Sequence, residues 1–134
     1  MKVFVTGVAG QLGHDVMNEL ADRGYEGIGS DIRGVYSGLC DGTAAEGMPY
    51  MPMDITDTDS VGNVLKSVKP DVVIHCAAWT AVDLAEDEDK QETVHRVNAD
   101  GTRNIPEVCR ELDCKMGYLS TDYVFDGTGT EPWQ

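Results

Sequence analysis

The sequence predicts an α/β fold: a doubly wound parallel sheet of about five strands in the order 3-2-1-4-5, with helices on both faces. Two observations predict it. Short apolar runs typical of buried strands occur at residues 2–6, 27–30, 50–53, 72–75 and 116–120. Segments with helical spacing separate most of these runs, and strands that alternate with helices are joined by right-handed crossovers into a parallel sheet.

The first two helical segments have recognisable ends. Apolar residues recur at helical intervals over residues 12–20, and Gly24 follows as a stop signal. A second apolar stripe covers residues 61–68, and either Asp57 or Asp59 can serve as its N-cap. Both segments are therefore predicted to be amphipathic helices that cover the sheet.

The later part of the chain contains one irregular helix, and a loop follows the second strand. Residues 94–112 predict a third, longer helix, in which Pro106 predicts a kink because an interior proline lacks an N–H and clashes with the preceding turn. Residues 34–47 are rich in glycine and show no periodicity, so they are predicted to form a loop.

Composition indicates one globular domain and limits its partners. The chain has 134 residues, of which 41% are hydrophobic and 25% charged. Its formal net charge is -14, so we expect no nucleic acid and no anionic membrane as a partner. The densest acidic segment, residues 83–92, lacks the spacing of a calcium loop and is predicted to be a solvated helix start.

Several features predict a cytoplasmic protein without a metal. The apolar runs are far shorter than the roughly 20 residues of a membrane span, and the N-terminus lacks the apolar stretch of a signal peptide. The four cysteines have no CxxC spacing and are expected to be free thiols. His14, His75 and His95 show no ligand spacing, so no metal site is predicted.

The clearest motif is TGVAGQLG, whose glycines follow the first predicted strand and open the first predicted helix. We expect Gly7 to permit the tight turn, Gly10 to let a pyrophosphate approach the backbone, and Gly13 to let the helix pack closely on the sheet. The amides of Gln11 and Leu12 would then lie at the positive end of the helix, which attracts phosphate.

Asp31 stands at the end of the second predicted strand, where dinucleotide-binding folds hold the adenosine ribose. A carboxylate there accepts hydrogen bonds from the ribose hydroxyls and repels a 2′-phosphate, so NAD(H) is the preferred cofactor. Arg33 either reaches such a phosphate or is a surface charge, which leaves NADP(H) open. Asp31, Ile32 and Arg33 are assigned to the cofactor's adenosine side. Together with the glycine motif, Asp31 predicts a Rossmann-type NAD(P)-binding domain over residues 1–134.

Four stretches resemble the extended short-chain dehydrogenase/reductase family: TGVAGQLG, KPDVVIHCAAWTAVDLAE, VNADGTRN and LSTDYVFDGTG. Within that family they are most similar to the dTDP-4-dehydrorhamnose reductases, and STDYVFDG with CAAWTAVD is the most specific combination. The resemblance covers most of the chain apart from residues 34–47. It implies NAD(P)H-dependent reduction of a 4-keto sugar nucleotide, a dTDP-sugar, in nucleotide-sugar biosynthesis.

The resemblance also implies contacts to the adenosine half of the cofactor. Gly10, Gln11 and Leu12 would hold the pyrophosphate. Asp54 and Ile55 would flank the adenine, with the Asp54 carboxylate accepting a hydrogen bond from the exocyclic amine. The alternative for Asp54 is a turn or helix cap.

On the nicotinamide side, the resemblance assigns the segment after the fourth strand. Ala77, Ala78, Trp79 and Thr80 would line the nicotinamide ribose, where small residues suit a backbone that passes close to a cofactor. Asn98 would order the active-site side of its helix; its alternative is a helix-interior amide bonded to backbone.

The catalytic residues implied by the resemblance lie near the end of the sequence. Thr121 matches the family's catalytic Ser/Thr, whose hydroxyl binds the substrate carbonyl, and Asp122 would contact the substrate. His75 stands where relatives often have Asn, and we expect it to be buried and hydrogen-bonded rather than catalytic.

The family's proton donor is the tyrosine of a Tyr-x-x-x-Lys pair. None of the five tyrosines in this sequence is followed by lysine four residues later, and the family pattern would place the pair beyond Gln134. We therefore expect this chain to be the cofactor-binding half of a reductase, without the substrate lobe, and to be inactive alone.

A homodimer is the assembly that we consider for this chain. Two other interpretations of its function stay open. One is another sugar-nucleotide enzyme of the extended family, an epimerase or dehydratase, although STDYVFDG lacks their SSxxVYG or TDE patterns. The other is a nucleotide-binding regulatory subunit resembling the beta subunit of methionine adenosyltransferase, which shares a similar stretch but serves a partner enzyme.

Overall fold

Strands and helices alternate along the chain, as the sequence predicts. The computed structural model describes residues 1–121, 124 and 126–128. The elements are β1 (Lys2–Thr6), α1 (Gln11–Asp22), β2 (Glu26–Ser30), α2 (Ala44–Gly47), α3 (Thr58–Val68), β3 (Val72–His75), α4 (Val82–Ala85), α5 (Gln91–His95), a π-helical segment (Arg96–Gly101), α6 (Thr102–Leu112) and β4 (Lys115–Tyr118).

The described strands form one parallel sheet in the order β2-β1-β3-β4. This confirms the predicted α/β class and strand order, except that residues 50–53 do not form a strand. They are reduced to an isolated parallel bridge between Gly29 and Tyr50, with Met51 N donating to Gly29 O at 2.9 Å. The backbone N of Met53 also donates to Asp31 O at 2.9 Å, so residues 50–53 follow the edge of the sheet without the regular pairing of a strand.

Both faces of the sheet are covered, because successive side chains of β1 point to opposite faces. Val3 and Val5 pack with Met17 of α1 in one buried cluster. Phe4 packs on the other face with Ile105 of α6 and with residues of α3. The two apolar clusters therefore hold helices on both sides of the sheet, as predicted.

The helix ends agree with the sequence where capping signals exist. Asp57 is the N-cap of α3, and its Oδ1 accepts from the backbone N of Asp59 at 2.9 Å and of Ser60 at 3.3 Å. Of the two predicted caps, Asp57 is therefore the correct one. No helix in the described residues is long and apolar enough to cross a membrane.

The third predicted helix is divided into three parts. α5 is followed by the π-helical segment Arg96–Gly101 and then by α6, which continues through Pro106. The irregularity in helical bonding thus precedes Pro106. Such π-helical turns are often found near functional sites.

Residues 34–47 contain the short helix α2 and are tied to α1, which the lack of periodicity did not reveal. The His14 ring Nδ1 lies 2.9 Å from the Tyr36 hydroxyl. The backbone N of Ala45 donates to Asn18 Oδ1 at 2.8 Å. Two polar side chains of α1 therefore fix the position of this segment.

Candidate functional site

A cavity of about 640 Å³ lies at the carboxyl ends of β1, β2 and β3, the edge where parallel α/β sheets bind ligands. It brings together most of the residues that the sequence assigns to the cofactor: Gly7, Gly10, Gln11, Leu12, Gly13, Asp31, Ile32, Asp54, Ile55, Ala77, Ala78 and Thr80. Arg33, Trp79, Asn98 and Thr121 belong to the described part of the chain but do not line this cavity.

The glycine-rich turn is shaped by close backbone contacts. Gly7 has φ +73°, and a Cβ there would lie 2.6 Å from the backbone N of Ala77. A Cβ on Gly13 would lie 2.3 Å from the carbonyl oxygen of Gly7. At Gly10, by contrast, the nearest protein atom is Gly7 O at 3.4 Å, and φ is -85°. The protein itself therefore leaves space at Gly10, which lines the cavity together with Gly7 and Gly13.

α1 begins at this turn with an exposed positive end. Gly10 is its N-cap, no side chain caps it, and its first turn has no acidic residue. Gln11 and Leu12 of that turn line the cavity. An anionic group in the cavity would meet uncompensated amides at the positive end of the helix dipole.

The Asp31 carboxylate is fixed at the rim of the cavity by backbone donors. Its Oδ2 accepts from Ala9 N at 3.1 Å, and its Oδ1 accepts from Ile32 N at 2.8 Å. Each oxygen keeps a second lone pair for a ligand hydroxyl. Arg33 is exposed, and its carbonyl accepts from the Tyr50 hydroxyl.

Asp54 both lines the cavity and stabilises a turn, so the two roles considered for it coexist. Its Oδ1 accepts from the backbone N and the hydroxyl of Thr56, each at 2.8 Å. Its Oδ2 has no hydrogen-bond partner among the described residues, which leaves it able to accept from a ligand. The helix cap itself is Asp57.

Asn98 holds the loop after β3 without lining the cavity. Its Oδ1 accepts from Trp79 N at 2.7 Å, and its Nδ2 donates to Trp79 O at 3.1 Å. The Trp79 indole donates to Ala81 O at 3.1 Å. Asn98 is thus bonded to the backbone of a loop at the cavity rather than to its own helix. The Trp79 indole does not line the cavity, and the residue takes part through the backbone bonds to Asn98.

Three further residues of VNADGTRN support the site, and the sequence interpretation missed them. Asn104 Nδ2 donates to Ile55 O at 2.9 Å, so it fixes the loop that carries Asp54. A Cβ on Gly101 would lie 2.8 Å from Ile55 Cγ1, so a larger residue there would displace the Ile55 side chain. Thr102 bonds to His75. The motif VNADGTRN could have pointed to these residues. Helical periodicity explains only its apolar positions, so the polar residues and the glycine were not assigned.

His75 is buried and hydrogen-bonded, as expected. Its Nδ1 lies 2.7 Å from Thr6 Oγ1 and its Nε2 lies 3.1 Å from Thr102 Oγ1. Thr6 Oγ1 also accepts from Ala77 N at 3.2 Å. Burial lowers the pKa of His75 to about 4, so the ring is neutral at ordinary pH and links β1, β3 and α6 below the cavity.

Within the described residues, the structure does not bring the catalytic candidate Thr121 to the cavity as it does most of the cofactor residues. Thr121 is exposed and follows the end of β4, three residues after Tyr118. Asp122 lies outside the described residues. The catalytic and substrate roles of this pair therefore stay predictions. Across the described ranges, no three His, Cys, Asp or Glu side chains are grouped so that they could hold a metal ion.

A parallel sheet with a glycine-rich turn, a carboxylate after its second strand and a cavity at its carboxyl edge defines a Rossmann-type dinucleotide-binding fold. The chain belongs to the RmlD substrate binding domain family, whose model matches residues 1–134.

Similar proteins have names that agree with this family. The chain is 35% identical over 131 residues to a dTDP-4-dehydrorhamnose reductase of Streptomyces griseus, covering 98% of this chain and 36% of the relative. A crystal structure of that kind of enzyme from Clostridium acetobutylicum is 32% identical with a TM-score of 0.77, covering 99% of this chain and 40% of that one. A Bacillus anthracis enzyme of the same name, in complex with NADP, is 31% identical with a TM-score of 0.69, covering 94% and 38%. The chain therefore spans 36–40% of the length of these proteins.

Proposed function

We propose that this chain is the NAD(P)-binding domain of a reductase that acts on a 4-keto sugar nucleotide, as the names of its relatives indicate. One observation carries the proposal: a single cavity is lined by Gly10, Asp31, Asp54 and Ala77, which come from four separate loops. These are the positions that a dinucleotide needs for its pyrophosphate, ribose, adenine and nicotinamide ends.

The chain's own residues would bind and orient the cofactor. The amides of Gln11 and Leu12 would hold the pyrophosphate at the positive end of α1. Asp31 would accept from the adenosine ribose, and Asp54 Oδ2 from the adenine amine. When bound, the dinucleotide supplies the hydride that reduces the sugar's keto carbon. Thr121 would donate a hydrogen bond to the oxygen of that carbonyl.

NAD(H) is the proposed preference over NADP(H). The Asp31 carboxylate is held at the cavity, where its charge disfavours a 2′-phosphate, whereas Arg33 does not line the cavity. The NADP complex of the Bacillus anthracis relative gives the opposite expectation. Titration with NADH and NADPH tests this preference. We expect the wild-type chain to bind NADH more tightly than NADPH. In Asp31→Asn the difference between the two Kd values should be smaller. Tighter NADPH binding by the wild type would overturn the preference.

The cavity assignment is tested with Gly10→Ser. Serine is a favoured N-cap and the φ of Gly10 suits any residue, so stability should be retained. The new side chain would occupy the space at the cavity, so the Kd for NADH should rise at least about 10-fold, a cost of roughly 1.4 kcal/mol. Gly34→Ser, where a Cβ meets nothing within 4 Å, is the matched control. Equal NADH binding by Gly10→Ser and wild type would show that the ligand binds elsewhere.

Catalysis is tested by NADH oxidation with dTDP-4-dehydrorhamnose. We expect no steady turnover by the 134 residues alone, since they contain no Tyr-x-x-x-Lys pair. Where the gene encodes further residues, the complete product should turn over. Cofactor binding without turnover by the complete product would favour a regulatory subunit instead. The homodimer and the cytoplasmic location stay predictions.

A further inference from the structure

One buried hydroxyl at the cavity, within the described residues, has no hydrogen-bond partner in the ligand-free chain. Ser30 is 1% exposed, and within the described ranges its Oγ is the one buried side-chain polar atom without a hydrogen-bond partner. Buried hydroxyls are nearly always hydrogen-bonded, because leaving one unpaired forfeits its interaction with water. An exception of this kind needs a physical reason.

The neighbouring groups are already engaged. Thr6 lies opposite Ser30 in the β1–β2 register, but its hydroxyl is bonded to His75 and accepts from Ala77 N. The carbonyl of Ser30 accepts from Val8 N at 3.2 Å. The protein thus pairs the backbone of Ser30 and the adjacent hydroxyl while leaving Ser30 Oγ unpaired.

Ser30 is also one of the residues that line the cavity. It is the last residue of β2 and directly precedes Asp31, so it lies at the part of the cavity proposed for the adenosine ribose. Met53, whose backbone N donates to Asp31 O at 2.9 Å, lines the same part.

We propose that Ser30 Oγ is a ligand-binding hydroxyl that forms its hydrogen bond only when the adenosine half of a dinucleotide fills the cavity. This inference rests on the proposed function. It makes Ser30 a binding residue beyond the glycine-rich turn and Asp31. The hydroxyl is unpaired in the free chain and paired in the complex, so removing it should have opposite effects on the two states.

Ser30→Ala tests this with two readouts on the 134-residue chain. The free variant should unfold at a temperature about 3 °C higher, because an unpaired buried hydroxyl is removed. Its Kd for NADH and for ADP-ribose should rise about 3- to 10-fold, while its Kd for nicotinamide mononucleotide should not change. Ser67→Ala, on the outer side of α3, is the matched control and should change none of the three Kd values.

The outcomes separate this inference from the proposed function. A wild-type Kd for NADH in Ser30→Ala would overturn the inference alone. A lower unfolding temperature of the free variant would also overturn it, because the hydroxyl would then have a partner in the free chain. A loss confined to nicotinamide mononucleotide would overturn the assignment to the adenosine half. Failure of the wild-type chain to bind any dinucleotide would overturn the proposed function and this inference together.

Discussion

The glycine-rich turn and two of the other loops of the cavity are held in place by different means. In the turn, backbone packs against backbone: Gly7 approaches Ala77, and Gly13 approaches Gly7, at distances that exclude a Cβ. In the loops, amide side chains hold the backbone: Asn98 bonds Trp79, and Asn104 bonds Ile55.

This difference determines how much stability a substitution costs in each region. Backbone atoms in contact cannot yield to an added methyl group without moving two strands and a helix, so a steric contact tolerates almost nothing. A hydrogen bond between a side chain and a loop can be lost while the fold persists, at a cost of about 0.5–1.5 kcal/mol. Substitutions at Gly7 and Gly13 should therefore destabilise the whole chain, whereas loss of a loop amide should destabilise it less.

The largest effect is expected for Gly13→Ala. Its Cβ would lie 2.3 Å from Gly7 O and 2.7 Å from Val8 Cα, both of them backbone atoms. We expect a loss of about 3 kcal/mol or more in the free energy of unfolding, measured by urea denaturation.

Gly62→Ala is the matched control for that prediction. Gly62 lies within α3, and a Cβ there meets nothing within 4 Å. Alanine is the better helix former, so this variant should gain about 0.5–1 kcal/mol. Similar stabilities for the two alanine variants would refute the steric account of the turn.

The next largest effect is the pH dependence of stability that we expect from His75, whose buried ring lies between the turn and the loops. His75 has a pKa lowered from 6.5 to about 4 by burial. Because the unfolded chain takes up this proton first, stability should fall as the pH decreases from 6.5 towards 4, and stay level above 6.5. Between pH 7 and pH 5 the loss attributable to His75 should be about 2 kcal/mol.

Urea denaturation at several pH values measures this loss. His75→Asn should remove most of the pH dependence in that interval. His95→Asn, at a side chain that is 68% exposed, is the matched control. If His75→Asn keeps the wild-type slope, the buried ring is not its source.

The sequence predicted the turn better than the loops for a physical reason. Glycine has few uses beyond conformational freedom and close approach, so its spacing after a strand indicates a specific geometry. The strand order and both covered faces were predicted from the alternation of strands with helices and from right-handed crossovers. The third predicted strand was wrong, because residues 50–53 follow the edge of the sheet but form only an isolated bridge between Gly29 and Tyr50.

The amide contacts could not be read from the sequence. Asn98 and Asn104 sit on the polar side of a helical pattern, where asparagine is also an ordinary surface residue. Their partners, Trp79 and Ile55, are distant along the chain and take part through the backbone, which leaves no trace in residue type. The π-helical segment and the orphan hydroxyl of Ser30 were equally invisible, since both depend on three-dimensional packing.

Asn98→Ala should have the larger effect of the two amide substitutions. It removes the bonds of 2.7 and 3.1 Å to Trp79 and leaves that backbone unpaired in a half-buried site. We expect a loss of about 1–2 kcal/mol on unfolding. Asn63→Ala, at an exposed position of α3, should lose nothing. Equal unfolding midpoints for both variants would contradict a structural role for Asn98.

Asn104→Ala should have the smallest effect on stability. It removes the bond of 2.9 Å to Ile55 O and the longer bond of 3.4 Å that Asn104 Oδ1 accepts from Thr58 Oγ1, but alanine favours α6 more than asparagine does. The net loss should be about 0.5–1 kcal/mol. Ligand binding separates the two loops further: Asn104→Ala should weaken ADP-ribose binding, because its loop carries Asp54. Asn98→Ala should weaken nicotinamide mononucleotide binding instead. If both variants weaken the same half of the dinucleotide, the two loops do not serve opposite ends of the cavity.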